Sequence, residues 1–401
     1  MNLEISNNNN NIEFDYSIIN DTYTINELYN FITNFSLKKI PSNIRFWMVR
    51  TKKGYFYNEF ISKKFVALAW NNITITTNLE EDNSEGLNQL ISLEYPEIKR
   101  PTLVINKCKS FIYEIKKGDI LVIPSDGSKY ITFAYAGDYY EEETKTPEVE
   151  KKIIGLIEHS EVIINEVNCP YRKRRHITPI RTIKNDELNY HLFKAISSYH
   201  GISNFDKYGT IILDHLFNYY TFNENTRLVF HVSKTNSITS TEFSGFLYSM
   251  NSILDNMNLD NNIITTQASV HSVGDIVFNI YKSLADNYLI LIAIAVILGG
   301  GKFLTVELPG IPAVLQKILS IKTNHQKEQA ELDSIKLENL NKALDIKKKL
   351  NDANLTLDDL NNIKLLADCS KSMKIIPIEN LSEPTVPENT DVQTDDEEAV
   401  L

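Results

Sequence analysis

The sequence predicts an α+β protein made of a small β-barrel, a helical linker, a βαββ domain, one hydrophobic helix and a C-terminal charged helix. Three observations carry that reading. Short apolar runs separated by turn residues fill Pro41 to about Lys184; a strand–helix–hairpin pattern begins at Arg227; and Asn287–Gly301 is free of charge between Asp286 and Lys302. With 42% hydrophobic and 10% aromatic residues in 401, the chain can bury a sizeable core. A net charge of −11 confines any nucleic-acid site to a local patch.

Residues 1–40 form a polar leader ending in an accessory helix, "TINELYNFITNF", whose Ile25, Leu28, Phe31, Ile32 and Phe35 recur at helical spacing. Residues 41–185 are the barrel. Its strands are read in "IRFWMV", "FVALAW", "TLVI", "DILVIPS", "YITFAYAG" and "EVIINEV", with turns at "KKGD" and "SDGS". Residues 186–285 comprise two helices, "DELNYHLFKAISSY" and "FDKYGTIILDHLFNYY", and then the βαββ domain. There "RLVFHV" is the first strand, Thr239 and Glu242 make a capping box for the helix, and "NIITTQASV" with "DIVFNIY" close the unit as a hairpin.

Residues 286–306 are the hydrophobic helix. As a helix Asn287–Gly301 spans about 22 Å, and extension to Val306 brings this to about 30 Å, the thickness of a bilayer core. A buried core helix is the alternative. The span is taken over it because nothing downstream offers a surface to cover an apolar cylinder with no polar stripe. Residues 307–378 are a charged helical region in which Leu337, Leu340 and Leu344 fit a heptad for about two repeats, a weak signal for self-association into a homo-oligomer. Residues 379–401 hold eight acids and no Lys or Arg, the composition of a disordered acidic tail.

Catalytic patterns are scarce. The glycine cluster Gly299–Gly301 lacks the Lys-Ser/Thr of a phosphate loop, the eight histidines include no i,i+4 pair, and there is no G-x-S-x-G. Glu143 and Lys145 in "EETK" are the nearest approach to a restriction-nuclease acid–x–Lys, in a polar stretch outside any strand. Cys108, Cys169 and Cys369 lack metal-ligand spacing and fit a reducing cytosol, and residues 1–20 lack a signal-peptide pattern. No catalytic residue, metal or cofactor is assigned.

The strongest cationic cluster is "CPYRKRRHITPIRTIK", with Arg172, Lys173, Arg174 and Arg175 in succession. On an edge strand, Arg172 and Arg174 would face one way and Lys173 and Arg175 the other, so one row would track a phosphate backbone. A solvated basic strand answering the neighbouring acids is the equal alternative.

In order and spacing, "RFWMVR", "FVALAW", "GDILVIPS" and "YRKRRHITPI" resemble the N-terminal PUA/EVE-like module found ahead of Mrr-type restriction endonuclease domains. The resemblance covers about residues 44–183. Ala69 stands where the family has glycine, and the strand that often ends in Trp ends here at Ile180 and Arg181. The resemblance implies a nucleic-acid or ligand site, with a base held against Trp47 or Trp70 and with Arg50, Arg172, Arg174 and Arg175 on the backbone. Barrel core is the alternative for both rings and the preferred one for Trp47.

Together these readings describe a bacterial antiphage defence protein that senses nucleic acid or a nucleotide through the barrel. It would sit at the cytoplasmic membrane, with the N-terminal domains in the cytoplasm and the membrane as a partner. A divergent restriction-type nuclease component and a non-enzymatic oligomeric scaffold are the alternatives.

Overall fold

The computed structural model describes residues 26, 29, 38–79, 84–96, 98–163, 166–198, 201–255, 264–268, 274–281, 293, 294, 297, 315, 318, 334–352 and 359–376. The chain divides into two compact units, one built on Ile40–Phe217 and the other joining the segment that ends at Lys39 to Asn218–Asn380. The first contains every residue expected to bind a ligand.

After β1 (Lys38–Lys39), which belongs to the second unit, the first unit runs β2 (Phe46–Val49), α1 (Tyr57–Ser62), β3 (Phe65–Leu68), α2 (Ser84–Glu94), α3 (Pro101–Lys109), β4 (Ile120–Pro124), β5 (Tyr130–Glu141), α4 (Pro147–Glu158), β6 (Lys173–Lys184), α5 (Tyr190–Ser198), β7 (Ile202–Asn204) and α6 (Gly209–Asp214). Its six strands form one mixed sheet in the order β3-β6-β5-β4-β2-β7. Only β2 and β4 run parallel. The end strands β3 and β7 do not pair with each other, so the barrel is half closed. Two register shifts between β5 and β6, at Phe133/Ala134 and Ala136/Tyr139, supply the local twist that curls long strands.

Two expected strands are absent. "TLVI" lies in α3, where Pro101 occupies the first helical turn and fixes φ without losing a needed hydrogen bond. "EVIINEV" holds no strand among its described residues. The stretch Phe205–Tyr220, expected as one helix, is a short 3-10 turn, then α6, then a strand of the second unit. Residues 186–217 belong with the barrel, not with the βαββ domain.

The second unit adds β8 (Tyr219–Phe222), β9 (Asn225–Val232), α7 (Ser240–Asp255), β10 (Ile264–Ala268), β11 (Gly274–Ile280), α8 (Ser334–Asp352), α9 (Leu360–Ser372) and β12 (Ile375–Ile376). The strand order is β1-β8-β9-β11-β10, with β12 also on β9. The strand–helix–hairpin pattern is present. Its capping box is reciprocal: the Thr239 N–H donates to Glu242 Oε2 at 2.8 Å and the Glu242 N–H to Thr239 Oγ1 at 3.2 Å. Phe246 of α7 meets Phe230 of β9 edge to face at 5.8 Å and Phe278 of β11 at 6.2 Å, which seats the helix on the sheet.

The expected membrane span is corrected. Among the described residues no helix is long and apolar enough to cross a membrane, so neither the transmembrane element nor the cytoplasmic-membrane location built on it stands. Most of 286–306 lies outside the described residues. Within it, Ala293, Ile294 and Ile297 are helical and buried, at 0, 0 and 2% exposure. Hydropathy measures only how poorly a side chain suits water, a property that core and lipid-facing helices share. The leader helix, apart from Asn26 and Tyr29, and the acidic tail lie outside the described residues. In the charged region, Leu340, Ala343, Ile346 and Leu350 of α8 are buried within the chain.

Gly209, at the start of α6, sets how closely that helix approaches β2. A Cβ there would lie 2.6 Å from Cε2 of Phe46, a ring with 1% exposure and no room to yield. Gly209→Ala is expected to lower stability by about 1–3 kcal/mol in urea denaturation, despite alanine's better helix propensity.

Candidate functional site

The basic strand is interior. β6 pairs with β3 on one side and β5 on the other, so it is a central strand and not an edge. Lys173, Arg174 and Arg175 are buried. Buried cations must replace the water they lose, and here main-chain carbonyls do so for Lys173 Nζ, for Arg174 and for both Nη atoms of Arg175, while Arg175 Nε has no partner among the described residues. Arg174 donates from Nε to Tyr171 O and from an Nη to Cys169 O, each at 3.1 Å, and its guanidinium lies 4.4 Å from the Phe65 ring centre. Arg175 donates to Gly137 O at 2.8 Å and to Phe111 O at 3.0 Å. The latter carbonyl lies in the π-helical turn Ser110–Glu114 that continues α3, so a cation caps orphaned helix-end carbonyls. Arg172 is partly exposed and its Nε is paired with Glu141 at 3.0 Å. These residues brace the barrel from within.

Trp47 is also interior, at 2% exposure. Its indole N–H donates to Asp119 Oδ2 at 3.1 Å, and Asp119 also accepts from the main-chain N–H groups of Arg45 and Lys116. One carboxylate thus ties β2 to the turn before β4.

Trp70 is placed differently. It is half-buried on the wall of a half-open cavity of about 810 Å³, to which Arg50 also contributes. Val49, Leu68 and Ile154 give the lining apolar surface, and Tyr95 and Tyr171 add aromatic surface. Lys52, Lys53, Lys107 and Lys151 join Arg50 as lining cations, against the acids Asp126, Glu150 and Glu158. Lys107 Nζ lies 6.0 Å from the Trp70 ring centre. Arg50 is half-buried, which lowers its pKa, and it donates to Ser128 Oγ and Ile196 O.

The backbone at Trp70 is left-handed, with φ of 66°. That is a costly state for a bulky residue and persists only where the surroundings enforce it. Two buried charges do so. Glu150, in the first turn of α4, accepts the Trp70 N–H on Oε1 and the Asn71 N–H on Oε2, both at 2.7 Å, while the Tyr95 hydroxyl donates to Oε2 at 3.1 Å. Lys173 donates from the opposite sense to Trp70 O at 2.6 Å and Ile73 O at 2.8 Å. Burial holds the lysine below its usual pKa and pushes the Tyr95 hydroxyl well above the ordinary tyrosine range. The turn that presents Trp70 to the cavity is therefore gripped by both of its main-chain polarities.

Of the residues expected to bind a ligand, Trp70 and Arg50 meet in this cavity, whereas Trp47, Arg172, Arg174 and Arg175 do not line it. Sequence reasoning missed Lys52, Lys53, Lys107 and Lys151 as cavity cations and Glu150 and Lys173 as the grip on Trp70. A "TKKG" stretch signals a positive-φ turn, but no sequence pattern reports which distant strand faces it. Glu143 sits in a turn after β5, and among the described residues no group of three or more His, Cys, Asp or Glu is arranged to hold a metal ion.

Glu150→Gln and Lys173→Met are each expected to cost about 2 kcal/mol or more in urea denaturation, because each leaves buried main-chain groups unsatisfied. Both should also shift tryptophan emission to longer wavelength as the Trp70 turn loosens. Unchanged stability and emission would contradict the grip. Comparison with family models, with curated proteins and with solved structures yields no match for this chain.

Proposed function

We propose that the Ile40–Phe217 unit recognises nucleic acid or a nucleotide by taking one base into the 810 Å³ cavity against Trp70. The observation that carries this reading is the Trp70 turn itself: a strained backbone, held by Glu150 and Lys173, that keeps an aromatic face at a half-open cavity. The volume falls within the range of about 300–1,000 Å³ typical of small-molecule sites. A flat apolar wall with cations around it suits a base joined to an anionic backbone, and stacking of one base on an aromatic ring contributes about 1–3 kcal/mol. The defence role implied by the resemblance to modules ahead of Mrr-type nucleases belongs to the same proposal, with the second unit standing where such proteins carry the nuclease.

Fluorescence anisotropy of a labelled random-sequence single-stranded decanucleotide tests the reading. Trp70→Ala is expected to weaken binding by about 5- to 150-fold, the equivalent of one lost stacking contact. The same affinity for wild type and Trp70→Ala would remove the cavity from consideration as the base site.

A further inference from the structure

Two turns meet in the cavity lining: Lys52–Gly54, between β2 and α1, and Ser125–Ser128, between β4 and β5. In the first, Lys52, Lys53 and Gly54 are successively left-handed, with φ of 51, 51 and 85°. The turn is closed by the Tyr55 N–H donating to Lys52 O at 3.2 Å. The N–H groups of Lys52, Lys53 and Gly54 themselves find no acceptor among the described residues. Left-handed geometry at two lysines costs on the order of 1 kcal/mol or more each, and consecutive unpaired amides in such a turn form a concave donor surface for an anion.

The side chains repeat the message. Lys53 is exposed and makes no ion pair among the described residues, and Lys52 pairs only with the carboxylate of Glu158, itself 60% exposed, at 2.9 Å. Lys107, above the Trp70 ring, likewise makes no ion pair among the described residues. Asp126 is the opposing charge on the facing turn. It lines the same cavity, and its turn approaches so closely that a Cβ on Gly54 would lie 2.4 Å from Asp126 Cβ.

We infer that the occupant of the cavity carries a phosphate group, seated on the Lys52–Lys53–Gly54 turn while its base lies against Trp70. This rests on the base-binding reading of the cavity and names the chemistry that reading leaves open. A phosphate of a single strand and the phosphate of a free nucleotide would use the seat alike. Three groups decide its strength: the unpaired amides and Lys53 favour the anion, and Asp126 opposes it.

Isothermal titration of the full chain separates the cases. One pair of probes is a random octadeoxynucleotide pool with a phosphodiester backbone and the same pool with an uncharged methylphosphonate backbone. The other pair is the four nucleoside 5′-monophosphates and the four nucleosides, each as a mixture. The charged member of at least one pair is expected to bind about 10-fold or more tightly than its uncharged counterpart. Lys53→Gln should remove most of that gap, and Asp126→Asn should tighten the charged probe alone. Whichever charged probe binds more tightly identifies the source of the phosphate. Charged and uncharged probes binding equally well would overturn the phosphate seat and leave the base cavity intact, as would a gap that Lys53→Gln does not change. Binding of none of the four would overturn both.

Discussion

The barrel depends on buried charges that satisfy main-chain groups in place of water. Around the central strand β6, Lys173, Arg174 and Arg175 each donate to main-chain carbonyls, and Glu150 accepts two main-chain N–H groups. Each such contact is worth little against a water-solvated reference, but its loss would leave a polar group stranded in the interior. The barrel is consequently held half-curled by side chain to main chain bonds as well as by its ladder. The turn carrying Trp70 takes up a backbone state it would not choose alone. Function, on this view, begins with that strain: a rigid aromatic wall is available to a ligand before any ligand arrives.

Much of the second unit was legible because its signals are local. The capping box at Thr239 and Glu242 depends only on residues three apart, and it appears as read, at the start of a helix that buries Phe246, Met250, Ile253 and Leu254. In the first unit, Trp47 as core and Trp70 as a candidate wall were both within reach of pattern and resemblance. The basic strand was not. Its four successive cations look like a surface in any reading that scores charge, because carbonyls offered by Cys169, Tyr171, Gly137 and Phe111 leave no trace in composition. The same limit explains "TLVI": β-branched residues raised the strand expectation, whereas Pro101 at the first turn, together with packing, settled a helix.

The hydrophobic segment teaches a related lesson. A charge-free run from Asn287 to Gly301 is compatible with lipid or with a protein core, and only the neighbours distinguish them. Three of its residues are described and all three are covered. The cavity of the first unit, by contrast, is lined by five cations and three acids around the Trp70 ring. An acidic chain with a small cavity in which cations outnumber acids would bind an anionic ligand by local geometry and not by a broad field.

The most direct test of the central claim uses two single-tryptophan proteins, Trp47→Phe and Trp70→Phe, titrated with the random-sequence single strand while emission is followed. The account predicts saturable quenching in the protein that retains Trp70 and an unaltered signal in the one that retains Trp47, whose indole is enclosed beside Asp119. Quenching confined to Trp47, or binding that leaves Trp70 emission untouched, would contradict it.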